Sequence, residues 1–139
     1  VSGQALTIRK ALWKENTTLK FYHKASTADS SAFMVNNYTA TTDIPAARLD
    51  DVVDISELTR PIIIKVEAEG AEPEVLEGAA RFLSAVDYVT VDCGHERGPQ
   101  QDHTFVEVHG ALSAAGFAVV AARFRGRVTV LFKRQGPPA

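Results

Sequence analysis

At the centre of the chain, two short apolar runs flank a segment in which apolar residues recur at helical spacing. Residues 62–66 hold four branched apolar side chains around one lysine, and residues 88–91 form a second run of β-formers. Near-continuous runs of this kind are typical of strands covered on both faces of a parallel sheet. Between these runs, apolar residues recur at helical spacing over residues 75–83. The order strand, helix, strand predicts a right-handed βαβ unit.

The first third of the chain predicts shorter strands and a long loop. Residues 6–8 and 17–23 alternate between apolar and polar side chains, which predicts two short strands joined by a turn at residues 13–16. Residues 24–43 are dominated by Ser, Thr, Asn and Ala. This segment is either a surface loop or a lid over a site.

The last third predicts a helix and a hairpin. Thr104 begins a capping-box pattern and Gly116 is a natural stop, so a helix is predicted between them. Residues 117–123 and 127–133 are two β-rich runs separated by a glycine turn, which predicts an antiparallel hairpin. We expect residues 135–139 to form a loose tail.

Composition and net charge argue against some classes of function. The 139 residues are 45% hydrophobic and 23% charged, which suits a single globular domain over residues 1–139. The net charge of −2 gives no basic field, so we expect neither nucleic acid nor a membrane as a partner. No apolar run approaches the ~20 residues that span a bilayer. The single cysteine favours a reducing compartment, and we expect a cytoplasmic location.

Two carboxylates follow the first apolar run. Glu67 and Glu69 precede Gly70, and ligands bind at the carboxyl ends of strands in open α/β sheets. Either glutamate is a candidate to accept a proton from a hydroxyl, and Glu67 is also a candidate to orient a cofactor or substrate. In the alternative interpretation, Glu69 only caps the backbone of the following helix.

A second group of candidates follows the next strand. His95 is a candidate general base because its unperturbed pKa lies near neutrality, and the alternative is an exposed loop histidine. Cys93 suits a small buried position better than a nucleophilic one. Glu67 with Asp92 and Glu96 is a candidate Mg²⁺ set, and Glu67, Asp92 and His95 are the residues a metal-dependent hydrolase would use.

Basic residues occur inside the first strand and in the hairpin. Lys65 lies in an apolar run and needs a partner, for which Asp50 or Asp51 is the structural candidate and catalysis the alternative. The hairpin carries the only basic cluster, which is either a solvated face or a surface that holds an anionic substrate; its members are Arg123, Arg125, Arg127, Lys133 and Arg134.

The central segment resembles a known family. Residues 64–79 read I-K-V-E-A-E-G-A-E-P-E-V-L-E-G-A, which is similar to the hallmark I-K-[IV]-D-V-E-G-A-E-x-x-V-L-x-G-A of FkbM-type methyltransferases. Residues 48–53 resemble the L-D-D-L segment that precedes this hallmark, and residues 10–12 with 18–22 resemble a strand end and the hairpin after it. The resemblance extends over residues 6–133.

This resemblance implies an α/β fold with the Rossmann-like sheet of class I methyltransferases, ending in an antiparallel β-hairpin. It implies S-adenosylmethionine as cofactor and a hydroxyl of a small molecule or sugar as methyl acceptor. Lys10, Ala11 and Leu12 would lie near the adenine, Glu67 near the reacting centre and His95 near the acceptor.

The chain departs from the family pattern in two respects. Glu67 stands where the family has aspartate, and no G-x-G run occurs in the sequence. The sheet is therefore expected to be incomplete at its N-terminal side, as in a fragment, and to pair with a second copy or to rebuild. The competing hypothesis is a non-catalytic, self-associating module that lacks the cofactor cradle.

Overall fold

The computed structural model describes residues 5–25 and 30–136. It contains a four-stranded sheet, a three-stranded sheet and a two-stranded ribbon, with three α-helices packed against or between them. The architecture is mixed α/β, as predicted. Within this described part, no helix is long and apolar enough to cross a lipid bilayer.

The four-stranded sheet forms the centre of the fold. Its spatial order is β4 (Ile63–Val66), β5 (Tyr88–Asp92), β9 (Thr129–Arg134) and β8 (Phe117–Arg123). β4 and β5 are parallel, whereas β9 is antiparallel to both of its neighbours. The predicted βαβ unit and terminal hairpin are therefore confirmed. Because β4 and β5 are parallel, their carboxyl ends lie side by side at the same end of the sheet.

Short helices connect the strands. The α-helices are α1 (Leu49–Val52), α2 (Glu72–Glu77) and α3 (Phe105–Ala114). The apolar spacing predicts a helix that reaches residue 83, but α2 ends at Glu77. A 3₁₀ turn at Phe82–Ala85 follows it. A further 3₁₀ turn covers Ile55–Glu57.

One apolar core joins the main sheet to α2 and α3. Its fully buried members come from β5 and the residues on either side of it, from β9 and from α3, and they are Val86, Val89, Val91, Cys93, Val108, Leu112, Val130 and Phe132. Burying side chains of this size stabilises the fold by about 1.5–3 kcal/mol each. The carboxyl ends of β4 and β5 are thus fixed on a well-packed base.

The smaller sheet differs from the prediction. It consists of β1 (Ala11–Leu12), β3 (Ala40–Ala47) and β2 (Thr17–His23), in that order. Residues 6–8 form no strand, and β3 occupies the end of the loop predicted over residues 24–43, because its backbone completes a ladder with β2. Part of that loop, residues 26–29, lies outside the described residues.

A short ribbon lies in the segment predicted as a loop after β5. It pairs β6 (His95–Arg97) with β7 (Asp102–His103). The capping box expected at Thr104 is absent, since the Thr104 hydroxyl accepts no hydrogen bond from the first turn of α3. This hydroxyl donates to Glu72 Oε2 at 2.8 Å. This contact ties the start of α3 to the start of α2.

The side chains of β4 are more exposed to solvent than the sequence predicts. Ile63 is 62% exposed and Lys65 is exposed, whereas Val66 is buried. The expectation of a strand covered on both faces is wrong, because Ile63 and Lys65 share one face of β4 and both are exposed. Among residues 5–25 and 30–136, no strand pairs with the edge of β4 that faces away from β5. A groove of about 450 Å³ runs along this edge, lined by residues that include Leu58, Pro61 and Ile63.

Candidate active site

An apolar cavity lies at the carboxyl end of β4. Its volume is about 320 Å³, and its walls come from β1, β2, α2 and the residues after β4. The lining includes the apolar residues Trp13, Leu19 and Phe21 and the charged residues Glu67 and Glu69. A volume of this size is at the lower end of the range for small-molecule sites.

Glu72 shapes the turn that carries the two site glutamates. Its side chain is 1% exposed, and Oε1 accepts hydrogen bonds from the N–H groups of Ala68 at 3.0 Å and Gly70 at 3.1 Å. With the Thr104 hydroxyl on Oε2, three donors surround one buried carboxylate. Sequence reasoning missed this role, although a charged residue in the first turn of a short helix after a glycine was the available signal.

The same turn is held from two other sides. The Ser31 hydroxyl donates to the carbonyl oxygen of Glu69 at 2.8 Å, and Arg97 Nη1 donates to the carbonyl oxygen of Gly70 at 2.7 Å. Arg97 also forms a bidentate ion pair with Glu74, with N–O distances of 2.7 and 2.9 Å. Glu69 has φ = +49°, an uncommon backbone conformation for a residue with a side chain, and these contacts hold it there.

Arg127 joins the ends of β4 and β5. Its Nη1 lies 3.1 Å from Glu67 Oε1 and 2.9 Å from Asp92 Oδ2. Glu67 also pairs with Lys65, and the hydrogen bond and charge of Lys65, with a contribution from Arg127, lower the pKa of Glu67. Glu67 is therefore held as a carboxylate and is poorly suited to taking a proton.

Lys65 has a different partner from the one expected. Its ammonium contacts Glu67, whereas Asp50 pairs with Arg48 and accepts the backbone N–H groups of Arg81 and Phe82. The predicted pairing of Lys65 with Asp50 or Asp51 is wrong because β4 turns the lysine toward the residue two positions later on the same face.

A polar chamber lies on the other side of the Glu69 turn. Its volume is about 190 Å³, and Glu69 lines both this chamber and the apolar cavity. The remaining lining is mostly polar and consists of Lys24, Ser31, Val35, Asn36, Glu96, Gly98 and Gln101. The two spaces therefore meet at one residue of the turn.

Asp92 and Cys93 lie at the buried end of β5. Asp92 is 7% exposed, and its Oδ1 has no hydrogen-bond partner within the described ranges. Burial, with the nearby Glu72 charge, raises the pKa of the Cys93 thiol to about 12. Cys93 is thus protonated at neutral pH, as suits a packing residue rather than a nucleophile.

The structure brings some predicted site residues together and leaves others apart. Ala11, Leu12, Glu67 and Glu69 line the apolar cavity, whereas Lys10 is exposed outside its lining. His95 lies exposed on the β6–β7 ribbon, with Nδ1 3.2 Å from the Gln101 carbonyl oxygen and its ring against that of His103. His95 lines neither the cavity nor the chamber.

The candidate metal set is not assembled. In the part of the chain that the structure describes, no three His, Cys, Asp or Glu side chains converge as metal ligands. The residues expected for a hydrolase are instead divided, since Glu67 and Asp92 both bind Arg127 while His95 lies on the ribbon. The three residues that the hydrolase hypothesis requires therefore do not form a metal site in the described part of the chain.

The comparison with family models decides the family. The model of the methyltransferase FkbM domain matches residues 2–119, which is most of the chain. The chain belongs to the FkbM methyltransferase domain family. No curated protein and no solved structure gives a significant match.

The cavity of this FkbM domain combines apolar surface with a few polar residues. Trp13 and Phe21 supply aromatic side chains to the lining, and Glu67 is one of its charged residues. The Ser30 hydroxyl also lines the cavity, and it is buried without a hydrogen-bond partner among the residues described. Such an orphaned hydroxyl is free to bond a polar group of a ligand.

Proposed function

We propose that this FkbM domain is an S-adenosylmethionine-dependent O-methyltransferase domain that acts on a hydroxyl of a small molecule or sugar. The main support is one feature, the apolar cavity and the polar chamber that meet at Glu69. A methyl transfer needs a site for the donor, whose adenine packs on apolar surface, and a site for a polar acceptor, side by side. We take the main sheet as the second half of a class I methyltransferase sheet.

The donor would lie in the apolar cavity. Ala11, Leu12 and Trp13 would contact the adenine, and Ser30 would bond a hydroxyl of the ribose. Glu67 would stabilise the positive charge of the donor, because its pKa is held low by Lys65 and Arg127. When bound, S-adenosylmethionine supplies an electrophilic methyl group. The chain contributes position and exclusion of water.

Calorimetry tests donor binding directly. We expect S-adenosylhomocysteine to bind the chain with a Kd on the order of micromolar, about −8 kcal/mol. Because S-adenosylmethionine carries a positive sulfonium and its demethylated product does not, Glu67→Gln should weaken S-adenosylmethionine binding several-fold more than product binding.

The matched control is Glu77→Gln on the exposed side of α2, which removes the same charge away from the cavity. It should leave both affinities unchanged. No heat with either ligand from a folded chain would refute the proposal, and equal effects of Glu67→Gln on both ligands would refute the role of Glu67.

The second candidate function is a non-catalytic module that associates with itself. It is favoured by the open edge of β4, where Ile63 is exposed along the 450 Å³ groove. Exposed strand edges pair readily with another chain. Under this alternative, the chain dimerises through β4 and binds neither ligand in the calorimeter. Cytoplasmic location and the identity of the acceptor stay predictions.

A further inference from the structure

Glu96 is the half-buried carboxylate of the polar chamber. It follows β5 by four residues, within the β6 strand, and its side chain lines the chamber with Glu69 and Lys24. Among residues 5–25 and 30–136, no hydrogen bond or ion pair holds its carboxylate, in contrast to Glu67, Glu72 and Glu74. A carboxylate without a fixed donor is free to bond a hydroxyl that enters the chamber.

The surroundings of Glu96 oppose its negative charge. Burial is the largest effect and Asp92 the next, and together they raise the pKa of Glu96. Glu72 and Glu67 add smaller repulsion, and Arg127 acts in the opposite direction. Three carboxylates thus raise the pKa of Glu96, and the one cation that lowers it, Arg127, is already shared by Glu67 and Asp92. Lys24 is the other cation in the lining of the chamber.

Gly94 makes room for this carboxylate. A methyl group at Gly94 would lie 3.1 Å from Cδ and Oε1 of Glu96 and 3.2 Å from Oε2. These are closer than ordinary van der Waals contacts, so alanine at this position would push the carboxylate aside by a few tenths of an ångström. The glycine thus allows Glu96 to fold back over the end of β5.

We propose that Glu96 takes the proton from the acceptor hydroxyl and that Gly94 keeps its carboxylate in place for that task. This inference rests on the proposed methyl transfer and assigns its base. The hydroxyl O–H bond breaks, and the proton goes to Glu96. The oxygen forms a bond to the methyl carbon as the bond from that carbon to the donor sulfur breaks, which leaves a neutral thioether.

Glu96 suits this role better than Glu67. Proton transfer is most effective when the pKa of the base lies near the working pH. The pKa of Glu67 is lowered by its ion pairs, whereas that of Glu96 is raised. His95 has a suitable side chain, but it does not line the chamber.

Carboxyl-¹³C NMR of glutamate-labelled protein tests the assignment without an acceptor. Glu96→Gln and Glu67→Gln variants identify the two resonances. We expect Glu96 to titrate at higher pH than Glu67, and Asp92→Asn to lower the Glu96 midpoint by removing a like charge. Gly94→Ala should also shift the Glu96 resonance. A Glu96 midpoint at or below that of Glu67 overturns the assignment.

Methyl transfer gives the second readout. With radiolabelled S-adenosylmethionine and three probe hydroxyls, glycerol, methyl glucoside and catechol, Glu96→Gln should lower the rate about 100-fold. Glu96→Asp should retain part of the rate, and the Glu77→Gln control should be unchanged. A Glu96→Gln rate equal to that of the wild type overturns the assignment.

The two proposals fail in different ways. A wild type that does not bind S-adenosylhomocysteine in the calorimeter refutes the methyltransferase proposal. A wild type that binds it, but in which Glu96 titrates no higher than Glu67, refutes only the role of Glu96. The NMR titration tests the role of Glu96 whichever probe hydroxyl the protein accepts, and calorimetry tests donor binding.

Discussion

At the scale of single residues, Glu72 supports the site more than the glutamates that line it. Glu67 and Glu69 face the cavity, but the turn that presents them is bonded to the buried Glu72 carboxylate through Ala68 and Gly70. A buried donor that loses its acceptor costs about 1–3 kcal/mol. The geometry of the site thus depends on a residue that no ligand needs to touch.

Glu72→Ala should therefore destabilise the protein strongly. It leaves the N–H groups of Ala68 and Gly70 and the Thr104 hydroxyl without their acceptor, and we expect a loss of about 3 kcal/mol in the free energy of unfolding. Urea unfolding measures this. Glu77→Ala on the same helix is exposed and should change it by less than about 0.5 kcal/mol. Equal losses for both variants would contradict the role of Glu72.

Asp50 links stability to pH. Burial by itself raises its pKa, but hydrogen bonds from the Phe82 and Arg81 backbone and from Arg48 outweigh burial, so the pKa is lowered on balance. A carboxyl whose pKa is lower in the folded state stabilises the fold above its unfolded pKa of about 3.9. That stabilisation is lost as the pH falls through the lower folded value.

Asp50→Asn should flatten the pH dependence of stability below about pH 4. The variant should also be less stable than the wild type at neutral pH, by about 1–3 kcal/mol, because an amide has one acceptor oxygen where the carboxylate uses two. Thermal unfolding between acidic and neutral pH checks both effects. Curves for variant and wild type that stay parallel down to the lowest pH would contradict this account.

At the scale of elements, Gly78 sets how closely the end of α2 approaches the link between β1 and β2. A methyl group at Gly78, just after α2, would lie 2.0 Å from the backbone oxygen of Trp13, so the link between β1 and β2 packs directly on this position. Gly110 in α3 has nothing within 4 Å of the same point. Both positions have helical or turn backbone without positive φ, so they form a matched pair.

Alanine at these two glycines should have opposite effects. Gly78→Ala should destabilise by about 1–3 kcal/mol because backbone must move, and it should shift the emission of Trp13, the only tryptophan. Gly110→Ala should stabilise by about 0.5–1 kcal/mol through helix propensity. Urea unfolding followed by tryptophan fluorescence measures both. Destabilisation by Gly110→Ala, or none by Gly78→Ala, would refute this packing.

The elements also show how far sequence reasoning reaches. Sequence reasoning predicts the β4–α2–β5 unit, α3 and the hairpin. Each of them depends on the spacing of apolar residues along its own segment and on a glycine that ends the helix or forms the turn. β3 escaped prediction because its residues are mostly exposed and it is a strand through its pairing with β2. The Arg127 bridge also escaped, since it joins residues that are 60 and 35 positions apart.

At the scale of the whole molecule, the open edge of β4 is the surface through which a second copy would pair under the alternative proposal. Ile63 is 62% exposed there, and Val106 on α3 is equally apolar and 66% exposed. Self-association through β4 predicts that Ile63→Lys shifts the chain toward monomer in sedimentation, whereas Val106→Lys does not. A wild type that is monomeric at all concentrations would contradict association through this edge.

The central claim is that the cavity beside Glu67 and Glu69 holds the methyl donor. The most direct measurement is a crystal structure of the chain with S-adenosylhomocysteine. We predict density for the adenine against Trp13 and Leu12, with the thioether near Glu67. Density for the ligand elsewhere on the protein, or an empty cavity at saturating ligand, would contradict the account.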